Sequence, residues 1–379
     1  MPLFSFGQMR CMHKWQDMAL GEIPKSSQQN IERLVERAFE KGINHFETAR
    51  AYGSSERQLG QALAGQQRDS FIMQTKVRPR DNVDDFVAEF TDSLNRLGLQ
   101  RVDLLSIHGI NDHQSFWQAC RSGGCLAAAR GLQAQGKVGH IGFSGHADTP
   151  LILEAVRHQQ DGGFDYLNLH WYYIFQSNWP AIAEAHQRGM GVLLISATDK
   201  GGMLQQPPSK LVELCKPFSP MLFNDAFCLS HPEVNTISVG ASEPWHFDEH
   251  LKALELLEEG GEILTTIDSR LQKAMQEACG HQRPDWLWSQ LPAWKDTPGH
   301  INLKMILWLY NLAMGWDLVE YGKGRYNKLG NQMPWVPGCN ASQAGFYDFQ
   351  PLLPKLSLTE KELKKILQET HNLLTLATA

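Results

Sequence analysis

The hydrophobic positions of this chain switch repeatedly between a helical and an extended period. Between residues 27 and 48, Ile31, Leu34, Val35, Ala38 and Phe39 follow the i, i+3, i+4, i+7, i+8 spacing of one helix face. Ser27 is placed to cap that helix, and Gly42 to end it where a left-handed residue costs least. A short apolar run over residues 43–46 then reads as a buried strand. The same alternation predicts strands at residues 71–75, 102–107, 139–144, 166–169, 192–195 and 236–239, with helices between them, such as the face of Phe86, Val87, Phe90, Leu94 and Leu97. With residues 4–9 as the first, the chain has eight strands whose starts lie about 25 to 45 residues apart, the count and spacing of a parallel (β/α)8 TIM barrel of the α/β class. A doubly wound open sheet would alternate similarly but calls for a GxGxxG turn after an early strand, and none is present.

After about residue 260 the pattern changes. Strand signals become sparse, and the stretch from Cys279 to Cys339 holds six of the eleven tryptophans: Trp286, Trp288, Trp294, Trp308, Trp316 and Trp335. The expected organisation is therefore a barrel over residues 1–260 and a helical, Trp-rich extension over residues 261–379. The apolar run from Met305 to Met314 is about half of what a membrane span requires and contains Asn311, so it reads as a buried helix. Leu358 to Leu374 reads as an amphipathic helix beginning at Thr359, with Glu360 and Glu362 in its first turn.

Composition narrows the partners. With 42% apolar and 20% charged residues the chain can bury a sizeable core. A net charge of −6 and no run of Lys and Arg speak against nucleic acid. Strand-like sequence from Phe4 leaves no room for a signal peptide, and seven scattered cysteines without a CxxC suit free thiols. The expectation is a cytoplasmic protein with no membrane segment, no metal site and a small-molecule substrate.

Functional groups of such a barrel sit at the C-terminal ends of its strands. Strand two ends at Glu47, with Tyr52 in the following loop; strand three ends at Lys76 and strand four at His108. Those types together suggest carbonyl reduction, because hydride arriving at carbon leaves charge on oxygen that a nearby acid must protonate. A phenol titrates near 10 and donates poorly at neutral pH unless a cation favours its anion. Lys76 supplies a cation, Glu47 can hold it, and His108 can orient the carbonyl.

In GINHFETARAYGSSERQLGQAL, QTK, DLLSIH and GKVGHIGFSGH, in this order, the chain resembles the aldo-keto reductase superfamily over residues 1 to about 257. The resemblance implies an NAD(P)H-dependent reductase of an aldehyde or ketone, with Tyr52 as proton donor and Lys76 and His108 as partners. Glu47 stands where the family has Asp. Its extra methylene displaces a charge by about an ångström, and misplacement of that size costs on the order of 100-fold in rate. Reduced activity is thus expected, and a weakly active or inactive NADP-binding regulatory or scaffold protein is the alternative reading. The family also implies that Ser144 and Asn168 bind the nicotinamide carboxamide and that Ser196 braces the ring. Gly240 and Ser242 lead into a phosphate-binding helix start, Glu249 contacts adenine, and His246 and His250 occupy positions usual for Arg and Asn. NADP is the expected cofactor, with NAD the alternative. Trp117, Trp171, Tyr172 and Tyr173 suggest an aromatic-lined pocket for a flat or apolar carbonyl compound. The extension resembles a ferredoxin-like tail that has lost its ligands. Only Cys279 and Cys339 remain, so no iron-sulfur cluster is expected, and the extension is left as a surface for a protein partner.

Overall fold

Eight short runs of alternating side chains close into a parallel barrel in the order β1 to β8. The structure, a computed structural model, describes residues 1–259, 261–331, 336–356 and 358–376. The strands are β1 (Phe4–Gly7), β2 (His45–Glu47), β3 (Ile72–Val77), β4 (Val102–His108), β5 (Val138–Ser144), β6 (Tyr166–Leu169), β7 (Gly191–Leu194) and β8 (Thr236–Gly240). β1 pairs with β8 from Phe4 opposite Ile237 to Gly7 opposite Gly240, which closes the ring. The first strand is shorter than residues 4–9, because the chain turns into a 3-10 helix at Gln8–Arg10.

The helices are α1 (Lys25–Glu40), α2 (Ser55–Leu63), α3 (Val83–Leu97), α4 (His113–Cys120), α5 (Cys125–Ala134), α6 (Thr149–Arg157), α7 (Trp179–Gln187), α8 (Ser209–Cys215), α9 (Pro220–Leu229), α10 (His246–Glu259), α11 (Gly261–Cys279), α12 (Leu303–Trp316), α13 (Val319–Tyr326) and α14 (Glu360–Leu374). In α1, Ile31, Leu34, Val35 and Ala38 are buried as the spacing predicts. Its start differs: Pro24 is the N-cap, and Ser27 lies inside the helix with its hydroxyl accepting from Gln58 Nε2 at 3.2 Å. Gly42 ends the helix with φ 75° while Ile43 N–H donates to Ala38 O, the left-handed termination that glycine permits.

Every second residue of a strand points into the barrel, and the register makes the interior legible as levels. Ile72, Leu104, Tyr166 and Leu193 form an apolar plug low in the barrel. Above it lies a polar level. Gln74 Nε2 donates to Asn168 Oδ1 at 2.8 Å, and Ser106 Oγ donates to the same oxygen at 2.7 Å and meets Tyr166 OH at 2.9 Å. The Tyr166 ring crosses Gly142, where a Cβ would come within 2.5 Å of it. His45 sits beside Gln74 at 3.2 Å, and burial pushes it down to about 4, so it is neutral. The upper level carries the ends of β2 to β5, where the charged residues lie.

By internal packing the chain divides into two compact units, Met1–Trp171 with Asn178–Thr198 and Asp225–Glu258, and Tyr172–Ser177 with Asp199–Asn224 and Glu259–Ala379. The second unit thus joins the helical extension to two segments that follow β6 and β7. Its core is α12, buried at Leu303, Ile306, Leu309, Leu312 and Trp316 as expected of the apolar run. Asn311, the polar residue in that run, donates to Pro284 O at 2.9 Å. Three of the tryptophans gather around residues 173–175: Trp308 Nε1 donates to Ile174 O at 2.8 Å, Phe175 packs edge-on against Trp288 and Trp308, and the Tyr173 ring lies 5.5 Å from that of Trp316. Asp285 accepts from Gln176 N–H at 2.6 Å and Ser177 Oγ at 2.8 Å, fastening the same segment. Trp335 lies outside the described residues. α14 is capped at Thr359, and the cap is a capping box, with Thr359 Oγ1 accepting from Glu362 N–H and Glu362 accepting from Thr359 N–H. Among the described residues no helix is long and apolar enough to cross a membrane.

Two helical glycines test the packing. A Cβ at Gly60 in α2 would lie 2.7 Å from Leu97 O and 2.8 Å from Arg96 O at the end of α3, backbone that cannot give way. Gly131 in α5 faces open space. Gly60→Ala is expected to lower the unfolding free energy by about 1–3 kcal/mol, and Gly131→Ala to raise it by about 0.5–1 kcal/mol, both read from urea unfolding.

Candidate active site

The inward side chains at the strand ends place Glu47, Lys76 and His108 on adjacent staves of the barrel mouth. Lys76 is 1% exposed and Glu47 4%. An ammonium so buried needs a countercharge, and Lys76 Nζ ion-pairs with Glu47 Oε1 while also donating to Thr48 O at 3.2 Å. The other carboxylate oxygen, Oε2, accepts from Ser238 Oγ at 2.5 Å. The glycine that ends β1 leaves room for the Ser238 hydroxyl that holds Glu47, since a Cβ at Gly7 would lie 2.7 Å from Ser238 Oγ. The longer acid is thus held across β1, between Lys76 on β3 and Ser238 on β8.

Tyr52 stands over this pair. Its loop is tied to β3 by Thr48 N–H to Gln74 O and Arg50 N–H to Lys76 O, both 2.9 Å, and to α2 by Ser55 N–H to Tyr52 O. Lys76 Nζ lies 5.3 Å from the centre of the Tyr52 ring. The His108 ring meets Tyr52 edge-on at 5.7 Å, and Trp15, from the loop after β1, does the same at 6.0 Å. Burial pushes the Tyr52 phenol up to about 12 and Lys76 down to about 7. The Glu47 carboxylate in contact with Lys76 works against the latter by stabilising the ammonium.

Two further predicted residues join the site through strand register: Ser144 lies opposite His108 and Asn168 opposite Ser144. Ser144 Oγ accepts from Gly109 N–H at 3.2 Å. Asn168 is 1% exposed; its Oδ1 serves the polar level below, and among the described residues its Nδ2 is buried without a hydrogen-bond partner. A buried amide N–H2 without an acceptor costs free energy, and this one fits a ligand carbonyl such as a carboxamide. Ser196 follows β7 with φ 59°, a left-handed conformation that non-glycine residues hold only where the surroundings impose it.

The end of β8 differs from the expectation in detail. α10 begins at His246, not at Ser242. Residues 243–245 form a turn in which His246 N–H donates to Glu243 O, and Ser242 N–H donates to His246 Nδ1 at 3.2 Å. The His246 ring thus takes an amide expected to be open. Burial lowers the His246 pKa, and neighbouring His250 and Arg10 add to the effect. His250 is buried against Asp225, Nδ1 to Oδ2 2.5 Å, and under Phe4. Glu249 lies in the first turn of α10. Arg10 was not singled out by the sequence, yet its side chain crosses Gly240, where a Cβ would meet Arg10 Cδ at 2.7 Å.

The aromatic candidates occupy separate settings. Trp117 on α4 is 53% exposed with the Arg121 guanidinium 4.7 Å over its ring. Trp171 is buried among Trp179, Phe227 and His231. Tyr172 pairs through its backbone with Phe175, and Tyr173 OH donates to Asp268 Oδ1 at 2.7 Å. Trp15 and Ser238, like Arg10, are residues near the site that the sequence reading missed. Parity along β8 marks Ser238 as inward; nothing in the irregular loop marks Trp15. In the extension, Cys279 is half-buried with its Sγ 3.9 Å from Asn311 O, and Cys339 is exposed on a backbone bridge to Ile301.

The chain is similar to known proteins over its barrel. L-galactose dehydrogenase of Arabidopsis thaliana is 26% identical over 268 residues, 63% of this chain and 83% of that protein. Among solved structures, a thermostable aldo-keto reductase crystallised with the inhibitor epalrestat superposes with a TM-score of 0.60 at 21% identity, covering 71% of this chain and 95% of its own. An aldo-keto reductase of Klebsiella pneumoniae in complex with NADPH superposes with a TM-score of 0.57 at 19% identity, covering 71% and 90%. The model of the aldo/keto reductase family matches residues 4–206, more than half of the chain, and with its closed parallel barrel this protein belongs to that family.

Proposed function

We propose that the protein reduces an aldehyde or ketone to the alcohol with a nicotinamide cofactor, Tyr52 donating the proton. The observation that carries this reading is the placement of the Tyr52 phenol over the buried Lys76–Glu47 pair with His108 beside it. A phenol raised by burial keeps its proton at neutral pH, so the acid is loaded before substrate binds. Lys76 then stabilises the phenolate as the proton leaves, and Glu47, anchored on Ser238, keeps the ammonium charged and in place. His108 is positioned to donate a hydrogen bond to the substrate oxygen.

The cofactor, when bound, supplies the hydride. Asn168 Nδ2 and Ser144 would hold the nicotinamide carboxamide, and Ser196 would brace the ring. Gly240, Ser242, His246, Glu249 and Arg10 are the groups proposed for the adenosine phosphate end. NADPH is the favoured form because Arg10 brings a cation to Gly240, and a relative of this fold was solved with NADPH. The two remaining thiols, Cys279 and Cys339, are too few for an iron-sulfur cluster, which takes four ligands.

The decisive assay uses NADPH with a panel of aldehydes. Tyr52→Phe is expected to lower kcat by about 10²- to 10⁴-fold while NADPH still quenches tryptophan fluorescence at the wild-type concentration. Turnover equal to wild type in Tyr52→Phe, or no turnover by wild type with any aldehyde, overturns the proposal. The pH profile tests Glu47. Catalysis uses the charged form of Lys76, so activity present at low pH is lost as pH rises through the Lys76 pKa. Glu47→Gln removes the charge that raises that pKa, so the alkaline limb is expected to move to lower pH by about 1–3 pH units.

A further inference from the structure

A strap of residues 13–17, between β1 and α1, crosses the turn that carries the active-site tyrosine. It passes so close to Gly53, whose φ is +52°, that a Cβ there would lie 2.1 Å from Lys14 O and 2.9 Å from Trp15 C. One end is pinned by His13 N–H donating to Gln58 Oε1 at 3.2 Å. The other end is Asp17, whose carboxylate accepts from both terminal nitrogens of Arg96, with Nη2 at 2.9 Å, and from Arg57 Nε at 3.3 Å, with Arg50 at 3.9 Å. Partial burial would raise the Asp17 pKa, but Arg96 and Arg57 outweigh it and hold the carboxyl below its ordinary range.

Arg96 is the inner half of the fastening. Its side chain is 1% exposed, ion-paired with the fully buried Glu56 at 3.1 Å. The same Nη2 that meets Asp17 also donates to Gly53 O at 2.6 Å. A single guanidinium therefore holds both the strap and the Tyr52–Gly53 turn. Between the two pins the strap carries Trp15, which is 65% exposed yet edge-on to the Tyr52 ring. Folding gains little from an indole left this open to water. An aromatic surface held open beside the reacting group is instead the form of a ligand contact.

We infer that Asp17 is a positioning residue, clasping Arg96 so that Trp15 stands as the outer wall of the substrate site and favours carbonyl compounds with a flat apolar face. This rests on the reading of Tyr52 as proton donor. The strap is then what discriminates substrates, while the Lys76–Glu47 pair below performs the same chemistry on any carbonyl that reaches Tyr52. Removing Asp17 leaves Arg96 its Glu56 partner, so the buried charge is not orphaned and the fold stands.

The test compares benzaldehyde with propanal, using the full chain and NADPH. Asp17→Asn and Trp15→Ala are each expected to raise the KM for benzaldehyde about 10-fold, with a much smaller change in kcat and in the KM for propanal. The double variant should be no worse than either single one, because both remove the same wall. Equal effects on the two aldehydes, or additive effects in the double variant, overturn the inference. Should wild type reduce neither these two nor any other aldehyde of the panel, the reading of Tyr52 falls separately, and the clasp is judged by NMR. The indole N–H resonance of Trp15, assigned by its loss in Trp15→Phe, must shift in Asp17→Asn; an unmoved resonance overturns the clasp.

Discussion

A lysine ammonium can be taken out of water only where a carboxylate goes with it, and the mouth of this barrel is arranged around that constraint. Desolvating either charge alone costs several kcal/mol. The chain meets the requirement with three strands: Lys76 from β3, Glu47 from β2 and Ser238 from β8, with Gly7 of β1 leaving the space between. The pair has to be rigid, because it is buried. Rigidity is also what the role proposed for Tyr52 requires, since a phenol gains acidity only from a cation that stays in place. The glutamate keeps its contact with the lysine while its second oxygen accepts from Ser238, in the space that Gly7 leaves open.

The polar level beneath has a comparable logic. Gln74, Ser106 and Tyr166 satisfy one another and the oxygen of Asn168, which orients that amide and turns its N–H2 away from them. An apolar barrel interior would pack as well but would hold Asn168 in no single orientation. The plug of Ile72, Leu104, Tyr166 and Leu193 below closes the barrel.

Much of this was legible in the sequence, for a physical reason: periodicity records which face of an element is buried, and a parallel barrel reuses the same face eight times. The β6 strand falls where the apolar run places it, and Glu47, Tyr52, Lys76 and His108 converge because alternation and strand order determine which side chains reach the mouth. Boundaries were less secure where two signals compete. Pro24 capped α1 ahead of Ser27, and the turn at residues 243–245 delayed α10 until His246. Partners across the fold were not legible. Nothing local says that Trp15 would lie edge-on to Tyr52, that Asp17 beside it would pair with an arginine some eighty positions away, that His250 would be buried on Asp225, or that Trp171 would join an aromatic cluster. Such contacts depend on loop paths, and the loop after β1 has no period to read.

The second unit is interleaved with the first in sequence, and this has a consequence for how the chain is made. Residues 173–177 leave β6 early, but the groups that cover and bind them arrive much later: Asp285 is 109 positions beyond Gln176, and Trp308 is 134 beyond Ile174. At a synthesis rate of about 5–20 residues per second, that apolar segment waits roughly 7–27 seconds before its tryptophans have left the ribosome. During that interval Ile174 and Phe175 are open to any other hydrophobic surface, including another nascent chain. The yield of folded protein should therefore be sensitive to translation speed and to the holding chaperones present, a dependence that a free-standing eight-stranded barrel would not share.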